Sequence, residues 1–214
     1  MPYCVGLTGG IGSGKSSAAR LFEALGAGIV DVDDISHGLT QPGGAAIAAI
    51  RSQFGPQYIA SDGSMDRARM RERVFGDAPA KSTLEAILHP LIGSAARTQA
   101  AQATQPYLML VVPLLLERDA YRDIIQRIAV VDCSEARQID RTMRRSAISE
   151  HAVRAIMAAQ LPRAQRLAGA DDVLHNDGSE DDLMRQVTTL HACYLALAEA
   201  HRSRDSSAGT NIAS

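Results

Sequence analysis

The segment 9–16 constrains the fold of this chain more than any other stretch of the sequence. It reads Gly-Gly-Ile-Gly-Ser-Gly-Lys-Ser and matches the pattern G-x-x-x-x-G-K-[ST] without a gap. The short apolar run 3–7 before it predicts a buried strand, and the apolar stripe over 15–25 after it predicts a helix. A strand, a glycine-rich loop and a helix in this order predict a phosphate-binding loop.

Each residue type in this loop has a role in binding a polyphosphate. Glycines let the backbone curl so that successive N–H groups point at the phosphates, and the helix N-terminus adds a positive partial charge. Lys15 is expected to contact the β- and γ-phosphates and to assist catalysis, and the Ser16 hydroxyl is the metal ligand expected to hold Mg²⁺. The residues expected to bind the nucleotide are Gly10, Ile11, Gly12, Ser13, Gly14, Lys15, Ser16 and Ser17.

A dinucleotide-binding fold is the main alternative for a glycine-rich first turn. Such folds carry the pattern G-x-G-x-x-G and, about 20 residues later, an acidic residue, for which Asp31 or Asp33 is a candidate. A pattern that starts at Gly10 would place its third glycine where Lys15 stands. A lysine there would obstruct the close packing of helix on strand, so the spacing favours a phosphate loop over a nicotinamide site.

Three aspartates, Asp31, Asp33 and Asp34, come at the end of the second predicted strand, 29–32. Ligands of open α/β sheets bind at the carboxyl ends of the strands. Alternate positions on a strand share one side, so Asp31 and Asp33 are both expected to face the ligand. In an alternative interpretation, Asp33 or Asp34 is the N-cap of the next helix, which would begin at Ile35.

Strands and helices alternate along the chain, which predicts an α/β fold with a five-stranded parallel sheet flanked by helices. The segment 35–104 shows no convincing strand and is interpreted as a helical insert in that fold. The remaining strands are expected at 107–112, 127–132 and 172–174, and the remaining helices at 134–144, 150–160 (with Ser149 as N-cap) and 180–200. The corresponding domains are a nucleotide-binding core of 1–34 and 105–200, the insert 35–104 and a disordered tail, 203–214.

The composition excludes several other classes of protein. Because 22 Lys and Arg residues nearly balance 24 Asp and Glu residues, the net charge of -2 provides no general attraction to nucleic acid or anionic membranes. The longest apolar run, 107–116, is interrupted by Pro113 and is too short for a membrane span. Cys4, Cys133 and Cys193 are widely spaced and odd in number, which argues against a disulfide framework and a zinc site. These features and the absence of a signal-peptide pattern predict a cytoplasmic protein.

A phosphate loop alone is compatible with a GTPase, a motor ATPase, a small kinase or a nucleotide switch that catalyses little. The sequence has no Asn-Lys-x-Asp motif, which disfavours a GTPase. A switch would turn over slowly and independently of any acceptor, so acceptor-dependent consumption of ATP distinguishes a kinase from a switch.

Residues 5–16 together with Asp31-Val32-Asp33 resemble the dephospho-CoA kinase family, and the resemblance extends from Met1 to about Leu197. Further fragments agree in order, namely 88–92 (Leu-His-Pro-Leu-Ile), 111–117, 141–145, Ala159-Gln160 and 170–176. The resemblance implies transfer of the γ-phosphoryl group of ATP, with Mg²⁺, to the ribose 3′-hydroxyl of dephospho-CoA, which is the last step of coenzyme A biosynthesis. It implies a monomer or small homo-oligomer. A shikimate kinase or a nucleoside monophosphate kinase is the runner-up.

The resemblance also implies roles for particular residues. Asp33 would accept or orient the proton of the 3′-hydroxyl, and Asp31 would support the loop or the metal. Segment 35–104 would bind the acceptor, and a lid at about 144–160 would carry catalytic Arg144 and Arg145. The family has an aspartate directly after the lid arginine, where this chain has Ser146.

Residues are also assigned to the two substrates by this resemblance. Asn176 would contact the adenine, although an ordinary turn residue is an equal interpretation. The residues expected to bind dephospho-CoA are Thr8, Asp31, Asp33, Arg71, His89, Pro90, Pro113, Leu114 and Leu115. Alternatives remain open for His89 as a packed or capping residue, for 113–116 as part of the core, and for the lid arginines as an exposed basic helix end.

Overall fold

A computed structural model describes residues 1–117 and 121–210 of the chain, with side chains described as far as 204. Its five strands form one parallel sheet, as the sequence predicts. The order of the strands is β2-β3-β1-β4-β5. The strands are β1 (Tyr3–Gly9), β2 (Gly28–Asp31), β3 (Tyr107–Val111), β4 (Arg127–Asp132) and β5 (Asp172–His175).

The register of the sheet places β1 at its centre. Tyr3 lies opposite Tyr107 of β3, and Val5 lies opposite Arg127 of β4. Every residue of β1 is buried, which is why its sequence is a continuous apolar run rather than an alternating one. The loop that follows β1 therefore leaves the middle of the sheet at its carboxyl edge.

Helices lie between β1 and β2, between β2 and β3 and between β4 and β5, and one follows β5. They are α1 (Lys15–Ala24), α2 (Val32–Leu39), α3 (Ile47–Phe54), α4 (Arg67–Val74), α5 (Ala78–Gln102), α6 (Glu135–Ser146), α7 (Glu150–Ala158), α8 (Arg163–Ala168) and α9 (Glu180–Thr210). Ser149 caps α7 as predicted, accepting a hydrogen bond from the N–H of Ala152. Helix α8 was not predicted, because six residues are too few to show an apolar period.

The terminal helix corrects one prediction. Helix α9 continues to Thr210 instead of ending near Ala200, so residues 203–210, expected to be a disordered tail, are helical. Residues 211–214 of that expected tail lie outside the described residues. Five of the six residues 205–210 have moderate or weak helix propensity, Ala208 being the exception, but a helix once nucleated propagates at little cost.

The chain divides into two compact units, each with its own apolar cluster. One unit consists of Met1–Val30 and the residues from Ala100 onward, and the other is Asp31–Gln99. In the first, helices α1 and α9 pack on the sheet, and the rings of Phe22 and Tyr194 stack 5.8 Å apart. In the second, buried Ile50 and Met70 centre a cluster among α3, α4 and α5.

The second unit is helical, as predicted for the segment 35–104. Its extended pairing is a single isolated bridge between Ile59 and Met65. Helix α5 passes through Pro90 without ending there. In the part of the chain that the structure describes, no helix combines the length and the apolar character needed to cross a bilayer.

Candidate active site

The loop between β1 and α1 has the backbone geometry that its glycines permit. Gly12 (φ +71°) and Gly14 (φ +96°) are both in the left-handed region, which an L-side chain rarely adopts. The N–H of Ser13 donates to the Gly10 carbonyl at 3.0 Å and so closes a turn, and α1 begins immediately after Gly14. The sequence pattern therefore forms a tight loop that leads directly into a helix N-terminus.

Several backbone N–H groups of this loop are left for a ligand. No described residue accepts a hydrogen bond from the N–H groups of Gly12, Gly14, Lys15 or Ser16. Unsatisfied N–H groups at the start of a helix carry partial positive charge and attract anions. Four such groups next to a half-exposed lysine form a site with the chemistry for a polyphosphate.

The outer side of the loop is held by two side chains from elsewhere in the sheet unit. Asn176, after β5, is buried and donates from Nδ2 to the Ser13 carbonyl at 2.7 Å. Arg141 of α6 donates to the Asn176 carbonyl at 3.0 Å and to the Ser13 carbonyl at 3.4 Å. A Cβ at Gly12 would lie 2.5 Å from the Gln138 carbonyl, so α6 requires glycine there in addition to the backbone conformation.

Arg141 is therefore the arginine of α6 that the structure places against the phosphate loop. Arg144 points into solvent and pairs with Asp140 at 2.9 Å, and Arg145 is also exposed. The sequence carried a signal for this difference, because α6 buries two polar residues, Gln138 and Thr142, beside the apolar Ile139, and Arg141 lies next to Thr142 in the chain. A buried polar stripe on a helix indicates that the helix faces polar backbone.

The aspartates after β2 differ from both sequence interpretations. Strand β2 ends at Asp31, whose Oδ1 accepts from the Asp33 N–H at 2.8 Å and caps α2. Asp33 lies in the first turn of α2 instead of on the strand, so the argument from strand alternation is wrong. The N-cap is Asp31 rather than Asp33 or Asp34, and α2 begins three residues before Ile35 because its capping carboxylate comes earlier.

Three residues expected to contact dephospho-CoA lie on the helices of the second unit. Arg71 is exposed on α4, and His89 and Pro90 are exposed on α5. Exposure leaves each of them accessible to a ligand. Their contacts with a substrate stay predictions.

The loop after β3 contains the remaining acceptor-binding predictions. Thr8 is buried and donates from Oγ1 to the Pro113 carbonyl at 3.1 Å, which ties the end of β1 to this loop. Leu115 is buried, and a Cβ at Gly6 would lie 2.5 Å from its Cδ2, so it packs on the sheet. Pro113 and Leu114 are half-buried, so both remain partly accessible to a ligand.

A strong ion pair that the sequence did not reveal lies at the carboxyl end of β4. Asp132 is buried, and Arg163 of α8 donates to its two oxygens at 2.8 and 2.6 Å. The hydrogen bonds to this carboxylate raise the pKa of Arg163 above its ordinary value. Asp132 and Arg163 are 31 residues apart, a separation without any local pattern.

A resident metal cage is not part of this site. Residues 1–117 and 121–210 contain no group of three or more His, Cys, Asp or Glu side chains arranged to hold an ion. Mg²⁺ in nucleotide-binding sites takes one or two side chains and completes its shell with phosphates and water. The exposed Ser16 hydroxyl in the first turn of α1 is a hard oxygen donor of the kind this arrangement uses.

This sheet order, together with a phosphate loop between β1 and α1, defines the P-loop kinase fold. A solved structure of a Thermus thermophilus protein superposes with a TM-score of 0.69 at 29% identity, covering 89% of this chain and 97% of that one. A dephospho-CoA kinase from Campylobacter jejuni superposes with a TM-score of 0.63 at 20% identity, covering 89% and 96%.

Sequence comparison identifies the family within this class. The family model for dephospho-CoA kinase matches residues 3–182. A dephospho-CoA kinase of Nitrosospira multiformis is 54% identical over 195 residues, which cover 91% of this chain and 98% of that protein. One from Bordetella pertussis is 54% identical over 200 residues, covering 92% and 94%. The chain belongs to the dephospho-CoA kinase family, as its sequence motifs predict.

Proposed function

We propose that the phosphate loop binds ATP and that Asp33 directs the ribose 3′-hydroxyl of dephospho-CoA at the γ-phosphoryl group. The reaction itself is the ATP-dependent phosphorylation of dephospho-CoA in coenzyme A biosynthesis, which the family defines. The residues that carry it out are the proposal. The observation that supports it most is the set of four N–H groups, Gly12, Gly14, Lys15 and Ser16, that donate to no described residue.

Positioning and charge neutralisation supply most of the catalysis in phosphoryl transfer. Lys15 follows the loop directly and reaches the β- and γ-phosphates in this proposal. Arg141 and Asn176 hold the Ser13 carbonyl and thereby keep the loop in its binding conformation. Asn176 is also proposed to contact the adenine, and Arg144 and Arg145 are proposed to reach the phosphates when the lid at about 144–160 covers the site.

Asp33 is proposed as the group that accepts or orients the proton of the 3′-hydroxyl. Its side chain is exposed at the first turn of α2, immediately after the carboxyl end of β2. Asp31 already accepts the Asp33 N–H and so fixes the start of that helix. A carboxylate on a capped helix is held more firmly than one on a free loop, which suits a residue that must be aligned with a hydroxyl.

Magnesium is proposed to be held by the Ser16 hydroxyl and by ATP itself. When bound, Mg²⁺ would neutralise negative charge that develops on the phosphates in the transfer. Asp31 is proposed to support the loop or the metal ion. Ser17 and the loop residues Gly10, Ile11 and Ser13 complete the proposed nucleotide site.

The acceptor is proposed to be bound mainly by the insert 35–104. Arg71 would meet the pyrophosphate of dephospho-CoA, because a guanidinium pairs with phosphate oxygens in a bidentate manner. His89, Pro90, Pro113, Leu114, Leu115 and Thr8 would contact the rest of the molecule. We also propose a cytoplasmic monomer or small homo-oligomer that binds neither nucleic acid nor membranes.

The reaction is tested by measuring ADP formation from Mg·ATP with and without dephospho-CoA. We expect strong dependence on dephospho-CoA and a product heavier by one phosphate, whose position NMR of the ribose would assign to the 3′-oxygen. Shikimate and nucleoside monophosphates serve as control acceptors. Equal stimulation by a control acceptor, or phosphate at another hydroxyl, would contradict the proposed acceptor geometry.

A further inference from the structure

One backbone N–H group of the phosphate loop is bound from outside the loop by a side chain. The N–H of Ile11 donates to Oε1 of Gln160 at 3.1 Å, although the two residues are 149 positions apart. The N–H groups of Gly12, Gly14, Lys15 and Ser16, by contrast, have no acceptor among the described residues. The first turn of the loop is thus fixed by the protein, and its second half is left for the ligand.

Gln160 begins a short stretch, 160–166, that follows α7 and includes the first four residues of α8. We call this stretch the post-lid segment. This segment makes hydrogen bonds to two further parts of the unit that contains the sheet. The N–H of Leu161 donates to Glu117 after β3 at 2.9 Å, and Arg163 binds Asp132 at the end of β4. Both attachments are at the carboxyl edge of the sheet, so the post-lid segment provides a fixed support for the Gln160 side chain.

Gly10, the neighbour of Ile11, touches the same support. A Cβ at Gly10 would lie 2.9 Å from Nη2 of Arg166 and 2.7 Å from Oε1 of Gln138. Arg166 is buried, and its Nη1 donates to the Leu161 carbonyl at 3.1 Å. The general pattern G-x-x-x-x-G-K-[ST] allows any residue at this position. In this chain a side chain there would have to displace the ends of Arg166 and Gln138.

The hydrogen bond, rather than close packing, fixes the Gln160 carboxamide. Gln160 lines a cavity of about 330 Å³ together with Gln138, Arg154, Met157 and Arg166. The carboxamide therefore borders open volume on that side. Its placement on Ile11 is therefore determined by the backbone donor, which would otherwise lack an acceptor.

We infer that Gln160 is a positioning residue for phosphoryl transfer, which holds the first turn of the phosphate loop through the Ile11 N–H. Its effect is exerted through the loop and not by contact with ATP. The inference rests on the proposed binding of ATP by this loop. Loss of the bond would leave the loop intact but less preorganised, and electrostatic stabilisation of a transition state depends on preorganised donors.

The test compares three variants of the full chain with the parent protein. Gln160→Met keeps the length of the side chain and removes the acceptor, and Gln160→Glu keeps an acceptor at the same position. Gln165→Met is the matched control, because Gln165 is exposed on α8 and makes no side-chain hydrogen bond with a described residue. Two quantities are measured, namely amide hydrogen exchange at Ile11 without substrates, and kcat and KM with ATP and dephospho-CoA.

In Gln160→Met we expect exchange at Ile11 to be at least about 10-fold faster, because the amide has lost the one acceptor that it has among the described residues. We expect kcat to fall by about 3- to 10-fold, the range that one neutral hydrogen bond supports, with KM for ATP changed less than about twofold. Gln160→Glu should restore both quantities most of the way, and Gln165→Met should match the parent. If Gln160→Met does not fold, Gln160→Ala provides the same two readouts.

Three results would overturn the inference. One is Ile11 exchange in Gln160→Met that equals exchange in Gln165→Met, since the bond would then not exist in solution. Another is a kcat equal to that of the control despite faster exchange. The third is a Gln160→Glu variant as impaired as Gln160→Met. Failure of the parent protein to phosphorylate dephospho-CoA would instead contradict the reaction and leave the exchange result standing.

Discussion

The two ends of strand β4 carry the same kind of ion pair in different surroundings. At the amino end, Arg127 donates to both oxygens of Asp172 at 2.5 and 2.9 Å, and the Tyr194 hydroxyl donates to the same carboxylate at 2.9 Å. At the carboxyl end, Arg163 donates to both oxygens of Asp132. Both pairs have a buried or nearly buried aspartate and a partly exposed arginine.

The two ion pairs differ in the structural elements that they connect. Asp172 belongs to β5 and Tyr194 to α9, so the amino-end pair joins packed parts of the core. Arg163 belongs to the post-lid segment, and Gln160 of the same segment accepts a hydrogen bond from the Ile11 N–H. The same chemistry therefore stabilises the fold at one end and positions the phosphate loop at the other. Disruption of the amino end should change stability, and disruption of the carboxyl end should change turnover.

The largest effect is expected at the carboxyl edge from Lys15→Ala. Removing a charge that neutralises the transferring phosphoryl group should lower kcat by about 10³-fold, in the range found for loss of one preorganised electrostatic group. The thermal unfolding midpoint should stay within a few degrees of the parent value. Lys81→Ala, a change of an exposed lysine on α5, is the control. Turnover within a few-fold of the parent would remove Lys15 from the mechanism.

Asp33→Asn is expected to have the next largest effect. Loss of the proton acceptor should lower kcat by about 10²-fold, while the dissociation constant for ATP, measured by calorimetry, should change little. Asp34→Asn, one residue later on the same exposed turn, should be nearly neutral. An equal loss in turnover and ATP affinity would show that Asp33 acts on nucleotide or metal binding instead.

The comparison of the two ion pairs is tested directly by Arg127→Met and Arg163→Met. Arg127→Met leaves the Asp172 carboxylate without its cation, so we expect a loss of about 2 kcal/mol in the free energy of unfolding, less than for a fully buried pair because Arg127 is partly exposed. Its kcat should equal that of the parent. Arg163→Met should lower kcat by about 10-fold as well as stability. Equal kcat values in the two folded variants would refute the comparison.

The smallest effect is a difference in thiol reactivity. Cys193 is exposed and should react first with a disulfide reagent at pH 7. Burial raises the pKa of Cys4 to about 12, and burial also raises the pKa of Cys133, although Arg141 beside Cys133 acts in the opposite direction. Because the thiolate is the reactive form, Cys133 near the phosphate loop should react faster than Cys4 at the amino end of the sheet. Mass spectrometry of labelled peptides measures the order, and faster labelling of Cys4 would contradict it.

The elements with strong local patterns were predictable from the sequence. Strands β1, β3 and β4 are continuous apolar runs, and the phosphate loop is recognisable because its function requires glycines and a lysine at fixed spacing. Family membership followed from the same residues. The five-stranded parallel sheet and the helical character of the segment 35–104 agreed with these predictions, whereas the order of the strands was not predicted.

The predictions that failed depend on competition between neighbouring residues. Asp31, Asp33 and Asp34 are all good N-caps, and only the end of β2 determines which carboxylate meets the first free N–H groups. The roles of Arg144 and Arg145, which the sequence singled out within a run of basic residues, stay predictions. The side of α6 that faces the loop, and hence the choice of Arg141, depends on how the helix packs.

The sequence by itself determined the class of fold, the phosphate loop and the family, because each of these depends on residues that are close together in the chain. Tertiary structure alone decided what surrounds the loop. Asn176 at Ser13, Gln160 at Ile11, and Arg163 at Asp132 join residues 163, 149 and 31 positions apart. Such contacts leave no periodic pattern, since a parallel sheet brings the ends of its strands together only after the intervening helices have packed.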